Sequence, residues 1–292
     1  MATLNEVKEQ IVVVRSVGDF SNALQQIAAM RMVALRNHVL NSKRFVDEAT
    51  EILKELKYYR ELLYLEEYER VSKKAFGKKR HKEEKPVKDA VIAVFSNQGL
   101  CGKFNTEVFK KMEHYIFPKN PDADYYILGK KGQEHYLSTK KFKLKFFPYN
   151  IPDNFTAQDL VRLTGVFSNY NKIILVYTRY INTVNRQVVE TLLVTPPMPI
   201  EKQKKNEKVQ YLFEPSIEDL IIDVSSKLRA AAFQQQILDS RLAQYSAQMV
   251  GMQGASENAK VMLEDLGHEY NKQRRKLIDK KIGEVFAGSA LW

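Results

Sequence analysis

Apolar residues recur at steps of three and four along both ends of the chain, while the middle breaks into short apolar runs. Near the start, Leu4, Val7, Ile11 and Val14 keep the helical rhythm, and Gly18, with Asp19, Ser21 and Asn22, interrupts it. A kink or break is expected there. From Val33 to Tyr68 there is no Gly or Pro, and Phe45, Ala49, Ile52, Leu56, Tyr59 and Leu63 fall 4-3-4-3-4 apart. That is a heptad seam, the mark of a helix packed along another.

The opposite end repeats the pattern. After "YLFEPS" a helix is expected to start at Ser216, with Glu218 and Asp219 in its first turn. Leu238, Leu242, Tyr245, Met249, Met252, Ser256, Ala259, Leu263, Leu266, Tyr270, Gln273 and Leu277 follow at steps of four and three, and no Pro intervenes. At 1.5 Å per residue such a helix would be about 110 Å long. Its simplest partner is the N-terminal helix, which gives an antiparallel coiled coil made from the two chain ends. Gly251, Gly254, Ala255, Ser256 and Ala259 thin the helix midway. Either the helices approach closely there, the commoner reason, or something outside packs against a thin waist.

The middle alternates between strands and helices. Residues 90–95, 125–129, 142–147, 172–178 and 186–194 read as strands, and 106–116 and 156–170 as helices. Such alternation predicts an α/β layer with a largely parallel sheet, the last two strands forming an antiparallel edge pair. The expected layout is a helix over 1–71, a basic linker over 72–88, an α/β domain over 89–200, a linker over 201–215 and a helix over 216–292. The 72–88 stretch carries eight Lys/Arg against two Glu, as solvated linkers do.

Charge and cysteine content narrow the classes. The 292 residues carry a net charge of +11, which favours acidic partners. The single Cys101 excludes an intrachain disulfide. No apolar run approaches the roughly 18 residues of a membrane span. The opening "MATLNEVKEQIVVV" reads as neither a secretory signal nor an acid-poor transit peptide.

One stretch invites a chemical reading: "VFSNQGLCGKFN", a strand, a Gly-rich turn, a thiol and a helix start. A dinucleotide loop wants G-x-G-x-x-G and an acid after the second strand; here stand Gly99, Leu100, Cys101 and Gly102, and the second strand ends in Leu128-Gly129. A phosphate loop wants Gly-Lys-Ser/Thr, and Gly102-Lys103 is followed by Phe104. His38, His81, His114, His135 and His268 are scattered, so Cys101 has no obvious base and reads as a packed thiol. No catalytic, cofactor-binding or metal-ligating residue is assigned. The chain reads as a lever carrying a domain; a basic tether for nucleic acid or a membrane surface is the alternative, and a nucleotide-dependent enzyme a third reading.

Several stretches together resemble the γ subunit of F-type ATP synthases. "FSNQGLCGKFN" resembles that family's "SDxGLCGxxN" turn, "AQMVGMQGASENA" its "ARMxAMxxATDNA", and "YNKQRRKLIDKKIGEVFAGSALW" its "YNKxRQxxITxEIxEIVxGAxAL"; the first 33 residues and "YLFEPS" match its opening helix and the entry to its last one. The resemblance implies a Rossmann-like α/β domain inserted between the two helices of an antiparallel coiled coil. It implies a non-catalytic rotor, one copy per complex, with an αβ hexamer, an ε subunit and a c-ring as partners. It also implies a peripheral place on the cytoplasmic face of a bacterial inner membrane. Arg274-Arg275 occupies the Arg-Gln pair that contacts a β-subunit loop, so those two residues are the candidate interface. The family's Thr and Glu in "ITxE" correspond to Asp279 and Lys281, its "ARM" Arg to Gln248, and two basic positions of its first helix to Asp19 and Asn22, which points to re-tuned rotor contacts.

Overall fold

The computed structural model describes residues 3–71, 88–139, 145–149, 170, 172–193, 213–214 and 216–289. The expected helix at 156–170, apart from Tyr170, and almost all of both linkers lie outside them. Two long helices bracket a five-stranded sheet. Helix α1 is Leu4–Val71. Thr3 caps it: its Oγ accepts the Glu6 backbone N–H at 3.3 Å, and the Glu6 carboxylate accepts the Thr3 N–H at 2.8 Å, a reciprocal capping box.

The helix continues unbroken through Gly18, where a break was expected. Gly18 lies on the inward face, and a Cβ there would come within 3.2 Å of the Ala259 Cβ. Close packing, not chain reversal, explains the glycine. The inward row keeps the seam read around Phe45 at Ala49, Leu56 and Tyr59 but shifts by one residue at two of its positions. Phe45 and Ile52 are 57% and 53% exposed, whereas Leu53 is buried and Val46 packs beside it. Apolar residues stand side by side at 45–46 and 52–53, so local spacing could not choose between them. The unbroken heptad from Leu4 and Val7 does choose, arriving at Val39, Val46 and Leu53.

The sheet comprises β1 (Ala90–Val94), β2 (Asp124–Leu128), β3 (Phe146–Tyr149), β4 (Ile173–Tyr180) and β5 (Arg186–Leu192). Their order is β3-β2-β1-β4-β5. The first four are parallel and β5 runs antiparallel to β4, as the alternating pattern predicts. The β4–β5 connection is held by the Asn182 side chain, whose Oδ1 accepts the Val184 and Asn185 N–H groups. Between β1 and β2 the chain forms α2 (Phe104–Lys111), a π-helical turn (Met112–Ile116) and α3 (Phe117–Lys119). Helix α4 (Lys130–Thr139) follows β2 and was not expected, because it opens Lys-Lys-Gly and carries little apolar periodicity.

Strand residues alternate between two faces. Val91, Ala93, Tyr125, Ile127 and Val176 pack with Val108, Met112, Ile116, Phe117 and Tyr136. Ala90, Ile92, Val94, Leu128, Leu175 and Tyr177 pack with Phe233 and Ile237 of the last helix, α5 (Ile217–Ser289). The sheet is thus covered on both faces, which is why β1 and β2 read as continuous apolar runs. Ser216 caps α5, its Oγ accepting the Asp219 N–H at 3.1 Å.

The chain divides into two compact units, and each takes a length of both long helices. One holds residues 33–99 and 103–244; within it Leu53 of α1 packs against Ile217, Ile221 and Leu228 of α5. The other holds residues 1–32, 100–102 and 245–292.

Candidate functional site

The second unit carries most of the residues singled out from the sequence. Its two helices run antiparallel. Gly18 faces Ala259, and thirteen residues further along α1 Arg31 faces Tyr245, its guanidinium carbon 5.5 Å from the ring centroid and its Nη1 3.4 Å from the hydroxyl. A cation over a tyrosine face contributes about 0.5–1 kcal/mol at a partly exposed site. Val7, Ser21 and Ala28 are the buried residues of α1 in this unit. On α5, Tyr245, Met252 and Ala259 are buried, and Met249, Leu263, Leu266 and Tyr270 are half-buried. Leu242 is buried in the other unit.

The same register brings Gln273 opposite Leu4, the first residue of α1. Gln273 is the last half-buried residue of α5, and every residue from Arg274 to Ala287 is exposed. This length presents Leu277, Ile278, Ile282, Val285 and Phe286, the last two about 70% exposed. A group of large apolar side chains this exposed is uncommon on a protein surface. Arg274 and Arg275 stand at its base, exposed, and make no ion pair among the described residues. Leu277, placed on the seam by its spacing, is 42% exposed.

The Gly-rich turn is built for packing. The Asn105 side chain clamps its start, accepting the Ser96 N–H at 3.0 Å and donating to the Ser96 Oγ at 2.7 Å. Leu100 takes φ 62° and Gly102 φ 54°, both left-handed. Leu100 is 55% exposed while Cys101 beside it is 3% exposed. The turn backbone at Leu100 and Gly102 lies against Gly251 of α5, where a Cβ would meet the Gly102 nitrogen at 3.8 Å. The waist of α5 therefore receives another segment at Gly251, whereas Gly254 has nothing within 4 Å. Gly129, φ 101°, lets the start of α4 cross the end of β1: a Cβ there would overlap the Phe95 carbonyl. Lys103, at the N-cap of α2, makes no side-chain cap hydrogen bond. The signals that sequence reading missed are the caps at Thr3 and the clamp at Asn105. Both were visible as T-x-x-E and as an Asn three residues past a Gly.

These features define a class by architecture: a mostly parallel α/β sheet inserted in the chain between two long helices. The family model described as ATP synthase matches residues 3–291, and the chain belongs to that family. The ATP synthase gamma chain of Flavobacterium johnsoniae is 26% identical over 296 residues, covering 99% of this chain and 98% of that one. That of Chloroflexus aurantiacus is 25% identical over 304 residues, covering 99% of each. Among solved structures, a chain of the central stalk and c-ring of the Tetrahymena thermophila mitochondrial ATP synthase superposes with a TM-score of 0.57 at 18% identity, covering 81% of this chain and 99% of that one. A chain of the Euglena gracilis mitochondrial ATP synthase gives 0.53 at 15% identity, covering 90% and 94%. Both share the fold. The tether reading finds no support in these matches.

Proposed function

We propose that this chain is the central-stalk rotor of a bacterial ATP synthase, the non-catalytic gamma subunit that carries torque between a membrane c-ring and an αβ hexamer, with an ε subunit beside it. The observation that carries this reading is the stretch from Arg274 to Ala287, wholly exposed on a single helix and apolar toward its end. Two packed helices resist bending and twisting far better than one, and the paired length can therefore transmit force to the unpaired length. Past Glu284 the side chains Val285 and Phe286 can turn within an apolar sleeve without making and breaking ion pairs. No helix among the described residues is long and apolar enough to cross a membrane. The subunit is held at the membrane by its partners, on the cytoplasmic face of the inner membrane. Within the chain, 72–88 and 201–215 serve as linkers between the 89–200 domain and the helices.

Arg274 and Arg275 are the proposed contact to a β-subunit loop, a charge-assisted one because Arg275 stands where the family has an amide. Replacing both with Ala tests this. Coupled ATP synthesis in reconstituted vesicles is expected to fall while the melting transition of the isolated chain stays put, because exposed charges contribute little to stability. Unchanged coupling removes the interface assignment.

A further inference from the structure

A cavity of about 540 Å³ opens in the unit that holds the sheet, between α1, β4 and α5. Its size falls in the range of small-molecule sites and is far above what a single water fills. Two acceptors form its floor. Gln236 is 8% exposed and its Oε1 has no hydrogen-bond partner among the described residues. Asp239 is 7% exposed, and its Oδ1 accepts one long hydrogen bond, 3.3 Å, from the Tyr180 N–H. Three cations line the cavity: Arg36, Lys43 and Arg179 are exposed and form no ion pair among the described residues.

A buried carboxylate with one weak partner costs stability, as does an orphaned amide oxygen. Both ask for donors, and the cations around them make a cationic donor unfavourable. Hydroxyl groups satisfy the floor, and adjacent hydroxyls suit a carboxylate, which accepts through two oxygens. The cations then match an anion on the same molecule, and guanidinium pairs well with phosphate. We propose that this cavity binds a phosphorylated vicinal diol, its hydroxyls on Asp239 and Gln236 and its phosphate on Arg36, Lys43 and Arg179. Apolar walls at Val39, Leu40 and Ile181 leave room for a further group such as a base. The site shares no residue with the Gly-rich turn or with the stretch from Arg274 to Ala287, and it does not rest on the rotor reading.

The test titrates ADP and glycerol 3-phosphate into the purified full-length chain by calorimetry, and mixes the chain with vesicles of phosphatidylglycerol or of phosphatidylcholine. Saturable binding is expected for at least one diol phosphate. It should weaken about tenfold or more in Asp239→Asn, since a hydrogen bond to a charged group is lost. Lys43→Gln and Arg179→Gln should weaken it and flatten its salt dependence. Binding of ADP that is lost with 2′,3′-dideoxy-ADP identifies a free nucleotide as the source. Asp239-dependent capture on phosphatidylglycerol alone identifies a lipid headgroup; either supports the site. Gln236→Leu, which leaves the carboxylate in place, serves as the second variant should Asp239→Asn fail to fold. Absence of saturable binding by every probe, or binding indifferent to both floor variants, overturns the proposal.

Discussion

Between Phe233 and Gln248 every residue of α5 is buried or half-buried; between Arg274 and Ala287 every residue is exposed. The chemistry of the two lengths is the reverse of what burial alone would select. Gln236, Asp239, Ser240, Gln244, Ser246 and Gln248 are buried, while Leu277, Ile278, Ile282, Val285 and Phe286 face outward. Helix formation is common to both lengths, so propensity does not separate them. Partners do. The inner length packs on the sheet through Phe233 and Ile237 and on α1 through Tyr245. The outer length keeps its apolar groups largely exposed.

Substitutions sharpen this contrast. The largest effect is expected in the inner length: Phe233, 2% exposed between α5 and the sheet, should cost about 3–5 kcal/mol as Ala, read by urea unfolding. Next is Gly18→Val. The Ala259 Cβ already lies 3.2 Å from where a Cβ would stand, so forcing in a branched side chain should cost about 1–3 kcal/mol. The loss should appear in amide exchange of residues 4–32 before it appears in the sheet.

Third comes a pH effect. Burial pushes the Asp239 carboxyl up from 3.8 to about 6, against the opposing pull of the Tyr180 N–H, Arg179 and Lys43. The folded state therefore holds this proton more tightly than the unfolded chain. The contribution of Asp239 to stability is therefore most favourable below pH 4, falls as pH climbs from about 4 to about 6, and stays lower above that. Asp239→Asn should abolish this slope and stabilise the chain at pH 8 by about 1–2 kcal/mol, allowing for partial solvent screening. Arg36 and Asp47 face the same cavity and should leave the sign unchanged. A melting series from pH 4 to 8 decides it. Smallest of all, Phe286→Ser should change stability by less than about 0.5 kcal/mol, since a side chain 70% exposed contributes little to packing. A large loss there would mean that this chain covers its own helix end.

The sheet was legible because buried parallel strands are short apolar runs, and 90–95 and 125–129 could hardly be anything else. Helix α4 was not, because its Lys130-Lys131-Gly132 opening looks like a turn. Gly132 is there for contact: a Cβ would collide with the Phe95 ring. Gly18 misled for the same reason, since sequence does not say whether a glycine bends the chain or lets a neighbour in. The phase of α1 was ambiguous wherever two apolar residues adjoin, and only continuity over many heptads resolves it. The candidate contacts at Arg274 and Arg275 came from resemblance; no spacing rule would have picked two exposed arginines from a basic helix.

The contact between Arg31 and Tyr245 joins residues 214 positions apart. On the ribosome, at about 5–20 residues per second, α1 is made roughly 10–40 s before the residues it pairs with. Throughout that interval its inward face has no native cover, while the sheet strands following it can already pair among themselves. Closing the two ends is a late, high-contact-order event. A nascent chain of this design exposes its first helix longest, and that helix is where a chaperone or an early assembly partner would find the most to hold.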